Sequence, residues 1–533
     1  MSAQSSIFNP TQTTSAATGD GFSVPRLTTT GRLAIVFGAG DSGMMVYDTT
    51  LNNLFIWNGT AWVSVPDSGD STDTQVIFND NGVLVGDAGL TYNKTLQRLT
   101  VHGNIDIWHG LNPANTSLAI GRSALGISTT GTANVAIGRQ AGNSLTTASN
   151  SVFIGSNAGF GGGGGGNIGI GTSALFANTA GTDNIAIGAS SLINATGSSN
   201  VAIGNVAGYR ITTGAENVAI GINALNGAQP VTGVRNIAIG SQALFTDPNN
   251  PLTGSDNVAL GQNAGRTLTT GASNVFIGNN AAYSANLITG GFNVCIGAET
   301  SRVFALASNN VALGQFTLAT NQNGNNGIAI GYAALNTCVV SDQLAIGAEA
   351  LLALQNGGNN TAVGRSALRG ITSASNNTAL GYFAARATTS SEVTAIGSNA
   401  LALATSGIGV TAIGAGVMSG AAATGNYNTA LGFNTLLSAT TGSGNTALGQ
   451  GASNTTTTGS SNIVIGKDAI TSAAGASNEL SIGSVTSFVA TNGAAATYFP
   501  TAGAGAVIAP GTVLGFIRLR LNGTLLKLAV YPD

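Results

Sequence analysis

Between residues 117 and 486 the chain repeats one five-residue pattern: a polar residue, a branched apolar one, a small one, a second branched apolar one, then glycine. NVAIG stands at 134–138, 200–204 and 217–221, and NIAIG, NVALG, NVFIG and NTALG are its variants elsewhere. Counted on the glycine, the pattern occurs 22 times at a mean spacing of about 17 residues, most gaps being 16 or 17. Self-similarity at a fixed short period is the mark of stacked supersecondary units. The stretch is rich in β-branched residues and glycine and is cut by Thr-Gly and Asn-Gly turns, so the repeat predicts one short strand per copy and no helix.

With the glycine as position zero, side-chain alternation places positions −3 and −1 on one strand face and −2 on the other. The branched −3/−1 face, which includes Ile137, Ile203 and Ile220, is expected to be buried. The −2 face, mostly alanine, is expected to pack closely against a neighbour. The glycines, such as Gly138, Gly204 and Gly221, let the backbone turn or approach another segment. Asparagine at −4, as in Asn134, Asn200 and Asn217, predicts a hydrogen-bonded ladder from coil to coil. The resulting expectation is an all-β fold, an elongated parallel β-solenoid of about 22 coils. At the usual strand spacing it would form a rod of roughly 100 Å. One coil encloses so little volume that the alanine face is expected to pack chain on chain in a homotrimer. Insertions are expected at one corner: the longest gap, Gly240 to Gly261, contains FTDPNNPLTGSD, and the run Gly161–Gly166 replaces an ordinary corner turn.

The flanks divide into further segments. Residues 1–25 form an extended attachment segment. Residues 26–66 form a small β-module in which GMMVYDTTLNNLFIWNGTAWVSV reads as three strands joined by turns at Asn52-Asn53 and Asn58-Gly59. Residues 67–116 are a β-rich connector, 117–486 the solenoid, and 487–533 a C-terminal hairpin. There Asn522-Gly523 is the turn signal between Phe516–Leu521 and Thr524–Tyr531. Its expected role is to cover the open edge of the last coil.

The motif NVAIG with alanine three residues after the glycine is similar to the repeat in the head of trimeric autotransporter adhesins. That resemblance covers residues 117–486 and implies a left-handed parallel β-roll of three chains, although the coil is longer here. GMMVYDTTLNNLFIWNGTAWVSV and TQVIFNDNGVLVGDAGLTYNKTLQRLTVHGNIDI resemble modules near the N-termini of bacteriophage tail fibres, and the terminal hairpin resembles one found on some such fibres. Together these resemblances imply a virion fibre assembled in the host cytoplasm, docked to other tail proteins through its N-terminus. They also imply attachment to a host surface glycan or protein, with Arg518, Arg520, Lys527 and Tyr531 as candidate contacts. A bacterial surface adhesin is the alternative, weakened by the lack of a visible signal segment or anchor; an ice-binding solenoid is a third, weakened because Thr-Thr is missing from many coils.

Composition narrows the chemistry. Glycine accounts for 78 of 533 residues and charged residues for only 7%, so neither a disordered tail nor an ordinary globule fits. A net charge of −3 gives no basic footprint for nucleic acid. No apolar run is long enough to predict membrane insertion. His102 and His109 flank Asp106 without a zinc spacing, the carboxylates form no recurring pair, and no nucleophile has a histidine partner in the repeats. No enzyme activity, cofactor or metal is therefore expected. Cys295 and Cys338 occupy different repeat positions and are expected to be buried thiols, not a disulfide. Arg139, Arg210, Arg235, Arg266, Arg302 and Arg365 are expected to be isolated, solvated side chains.

Overall fold

The computed structural model describes residues 24–36, 42–65 and 116–483, apart from 128–129, 247–248, 285–286, 304–305, 321–322 and 421; it adds backbone alone for strands at 74–80, 83–93, 98–101, 105–108, 489–492, 495–498, 515–521 and 524–530. The chain forms two compact units, residues 1–270 and 271–533.

In the first unit, strands Met45–Asp48, Asn53–Trp57 and Trp62–Ser64 form an antiparallel meander, and Arg26–Leu27 joins it in parallel. Asn52, at φ 55°, and Gly59, at φ 96°, occupy the turns that the sequence marks. One element was not expected: a short helix, Thr29–Leu33, which begins where the Thr28 hydroxyl accepts a hydrogen bond from the Gly31 N–H. A second meander follows, Thr74–Asp80, Val83–Asn93, Arg98–Val101 and Ile105–Trp108. Its last strand pairs antiparallel with the first coil strand, Leu118–Ile120, and so covers that edge.

The solenoid is all-β and parallel. Nine three-residue strands lie in the first unit, from Leu118–Ile120 to Val258–Leu260, and thirteen in the second, from Val275–Ile277 to Leu480–Ile482. Within each unit like positions pair with like: Val201 with Val218, Ala202 with Ala219, Ile203 with Ile220. The glycines have φ near +130°, and a Cβ on Gly204 would sit 2.6 Å from the carbonyl oxygen of Gly221 in the next coil. Backbone conformation and close approach both require glycine there.

The faces are the reverse of the expectation. The −2 alanines point into the coil: Ala136, Ala202 and Ala219 are all fully buried. The branched −3 and −1 residues point outward and are half-buried or exposed, Ile203 being 38% exposed. The reason lies across the coil. In the coil of Gly221, Asn217, Ala219, Ala224, Leu225 and Val231 are all fully buried and together fill the interior. With a leucine and a valine arriving from the opposite wall, the strand has room only for a methyl group.

That leucine four residues after the glycine carries an unusual backbone. Leu175, Leu225 and Leu351 have φ of 54°, 49° and 53°. A left-handed non-glycine residue costs about 1–3 kcal/mol, and burying a leucine contributes about 1.5–3 kcal/mol, so the two offset. Where glycine replaces leucine, another coil position grows to fill the gap. Phe153 takes the place of a −2 alanine; of the glycines at the leucine position, a Cβ on Gly142 would lie 3.2 Å from its ring and one on Gly159 closer still.

Two polar ladders close one corner. The Asn217 amide nitrogen donates to Asn200 Oδ1 at 3.1 Å and to the Gly233 carbonyl at 3.0 Å, while Asn217 Oδ1 accepts the Asn236 N–H at 2.9 Å. Two residues earlier in the repeat, serine hydroxyls bind the preceding coil instead: Ser198 accepts the Thr182 N–H at 3.0 Å, and Ser460 accepts that of Ser443 at 3.0 Å. The asparagine ladder was legible in the sequence; the serine ladder was not anticipated, though Ser-x-Asn precedes many of the strands, as at 198–200 and 443–445.

The last coil strand is met by Val489–Asn492, through the antiparallel pair Leu480 and Val489. The terminal hairpin forms as expected, Gly515–Leu521 with Thr524–Val530, but as a separate two-stranded sheet, so the edge-covering role assigned to it falls to residues 489–492. The turn residues Asn522 and Gly523 lie outside the described residues.

Candidate self-association interface

The outward strand face is a regular surface that recurs in every coil of both units. In the first unit every −3 and −1 position, from Leu118 and Ile120 to Val258 and Leu260, is Val, Ile or Leu. In the second unit the −1 column stays aliphatic, while the −3 column turns to threonine over six successive strands: Thr361, Thr378, Thr394, Thr411, Thr429 and Thr446. In-register pairing stacks these side chains into straight, uncharged columns, aliphatic at −1 and aliphatic or threonine at −3. Ile187, Ile203, Ile239, Ile296, Leu380 and Leu431 are each 36–46% exposed. A soluble monomer seldom leaves a continuous apolar surface of this kind uncovered. Of the repeat residues expected to matter, Asn134, Asn200 and Asn217 are buried in the ladder, Gly138, Gly204 and Gly221 form the close-approach column, and Ile137, Ile203 and Ile220 belong to this outward face.

Charge is confined to other sides of the coil. Arg235 and Asp256 form a bidentate pair between adjacent coils, with Nε–Oδ1 at 2.6 Å and Nη2–Oδ2 at 3.0 Å. The hydrogen bond raises the pKa of Arg235 and lowers that of Asp256. Arg302 pairs with Glu299 at 3.4 Å, and Arg210 and Arg266 lie over the rings of Tyr209 and Phe245. These four arginines are therefore not the isolated side chains expected. Cys295 and Cys338 are free and buried; burial pushes their thiols up to about 12 and about 11. Such thiols are inert at neutral pH.

The N-terminal sheet has its own buried centre. Asp48 accepts hydrogen bonds from Arg32 Nε at 2.9 Å, from the Thr29 hydroxyl at 2.9 Å, and from the Thr50 and Leu51 N–H groups at 2.9 and 3.1 Å. The Arg32 guanidinium lies 3.7 Å from the Phe55 ring centroid, and Trp62 Nε1 donates to the Arg32 carbonyl at 3.1 Å. Burial raises the Asp48 pKa, but these bonds outweigh it and bring it down to about 2.

At the C-terminal hairpin, Arg518 pairs directly with Lys527, and Arg520 lies two residues along the same strand. The side chains of Arg518, Arg520 and Lys527 lie outside the described residues, as do Tyr531, His102, His109 and residues 1–23. Among the described residues no group of three or more His, Cys, Asp or Glu could hold a metal ion, and no helix is long and apolar enough to cross a membrane.

Fold and face together define a repetitive β-solenoid protein with an exposed, uncharged strand face. Residues 5–79, which include the N-terminal sheet, match the family described as phage tail like trimerisation region. No curated protein and no solved structure matches the chain. The trimerisation region supports self-association, and its combination with a parallel β-solenoid fits a phage tail fibre.

Proposed function

We propose that this chain is the structural shaft of a homotrimeric bacteriophage tail fibre, without enzymatic activity, whose outward strand faces meet around a common axis. The observation that carries the reading is the aliphatic −1 column within each unit, flanked at −3 by aliphatic residues and, over six strands of the second unit, by threonine, in a chain whose N-terminal region matches a trimerisation family. Three such columns facing one another would remove from water the surface that a single chain leaves exposed, at about 25 cal/mol per Å² of apolar area. In this reading the N-terminal region docks to other tail proteins, the coils give reach, and three copies of each binding surface raise the effective affinity for a host surface.

Sedimentation equilibrium tests the assembly. The expected mass is three times the 52.4 kDa of one chain. Ile220→Asp and Ile330→Asp, each placing a charge in the shared column, are expected to lower that mass towards one chain while the coil strands remain folded. A folded wild-type monomer, or trimers of both variants with unchanged melting, would overturn the proposal. Attachment is tested by adsorption of fibre-bearing particles to host cells in competition with the purified chain.

A further inference from the structure

The second unit carries a groove of about 470 Å³ that crosses four successive coils, on the corner just after the glycines. Its two ends are aromatic. Phe383 stands at one, stacked on Tyr382 with ring centroids 3.9 Å apart, and Phe433, 54% exposed, stands at the other. The coils between them carry small or polar residues at the equivalent positions, Ser398 and Asn399 in one, Ala415 and Gly416 in the next. The two walls are three coil steps apart, or about 14 Å at ordinary strand spacing. The floor between them offers hydroxyl and amide groups.

Arg386 lies against the Phe383 wall, with its guanidinium carbon 4.7 Å from the ring centroid. It is exposed and makes no ion pair among the described residues. Arg386 is the one charged residue lining the groove; in the adjoining coil Arg369, at the same repeat position, is already paired with Glu349 at 2.8 Å. Exposed aromatic faces stack on the apolar faces of sugar rings, and amide and hydroxyl groups meet sugar hydroxyls. A guanidinium held in place by a ring selects a carboxylate. A peptide of matching charge would need edge strands or deep side-chain pockets, and this open groove supplies neither.

We propose that this groove binds a short oligosaccharide segment containing an acidic sugar, with Phe383 and Phe433 stacking at its ends and Arg386 pairing with the uronate carboxylate. The site deepens the attachment reading and rests on it for its biological purpose. It also places recognition along the shaft, away from the terminal hairpin.

The test uses the purified full chain and two probes, trigalacturonate and its methyl ester, which share the sugar backbone while the ester carries a methyl group in place of each carboxylate charge. Calorimetry is expected to show trigalacturonate bound in preference to the ester. Arg386→Gln is expected to weaken trigalacturonate binding at least tenfold and erase the preference, and Phe433→Ala to weaken both probes. Failure of the wild-type chain to bind either probe, or binding indifferent to both substitutions, overturns the groove. Loss of trimer mass on Phe433→Ala also overturns it, because the ring would then lie between chains. Sedimentation of the same samples separates the two proposals: a trimer that binds nothing sinks the groove alone, and a monomer that binds sinks the trimer alone.

Discussion

The N-terminal sheet and the coils are held together in opposite ways. The sheet uses each contact once: a single buried Arg32–Asp48 pair, one ring stacked on it and one set of turn bonds to the carboxylate. The coils use a few contacts many times, with the same asparagine, the same glycine and the same alanine one strand spacing apart. A fold of unique contacts is only as secure as its least replaceable one, whereas a stack of equivalent coils loses locally and keeps the rest.

That contrast can be broken. Arg32→Met would leave the Asp48 carboxylate buried without its partner, and removing one member of a buried pair is strongly destabilising. The expected outcome is loss of the whole sheet, read as loss of the near-ultraviolet circular dichroism of the Trp57–Trp62 pair, with coil melting unchanged. Replacing both Arg32 and Asp48 with apolar residues is expected to recover much of it. Asn217→Leu would orphan the Asn236 N–H and the Gly233 carbonyl, for a cost of about 2–4 kcal/mol; hydrogen exchange should rise in the adjoining coils and nowhere else. Acid sharpens the contrast with no substitution. Asp48 has a folded pKa of about 2 against an ordinary 3.8, so its contribution is complete above about pH 4 and is lost as pH falls towards 2. Below pH 4 the sheet is expected to melt before the coils, whose ladders are made of neutral amides and hydroxyls except in the last coil, where the buried Glu479 takes the asparagine's place. The smallest effect belongs to Ser198→Ala, which removes one acceptor from the Thr182 N–H at about 0.5–1.5 kcal/mol, measurable as a small local rise in exchange at Thr182.

The period, the strand in each repeat, the turning glycine and the asparagine ladder were all legible, because each depends on local chemistry repeated in phase. The direction of the faces was not. Alternation says that Val201 and Ile203 share a face and Ala202 the other; it does not say which is inside. Size misled, because a coil this thin is filled from the far wall by residues such as Leu225 and Val231, whose distance along the chain from the strand hides their contact. The left-handed leucines were invisible for a related reason, since nothing in a leucine announces a positive φ. The groove between Phe383 and Phe433 was missed because its residues lie in four different repeats and look, one at a time, like variation.

Each bond in the asparagine ladder is made to the equivalent atom one coil away, at nearly the same distance whether Asn217 donates to Asn200 at 3.0 Å or Asn236 to Asn217 at 2.9 Å. Where the asparagine is present, as at Asn200, Asn217 and Asn236, a coil's ladder bonds therefore do not record its place in the sequence. Deleting residues 201–217 would join Asn200 to Val218, restore NVAIG and hand Asn200 to Asn236 with the ladder intact. Recombination between the stretches that encode these repeated motifs would add or remove whole coils in a single event. The length of the fibre would then be a heritable integer that changes without any residue having to adapt.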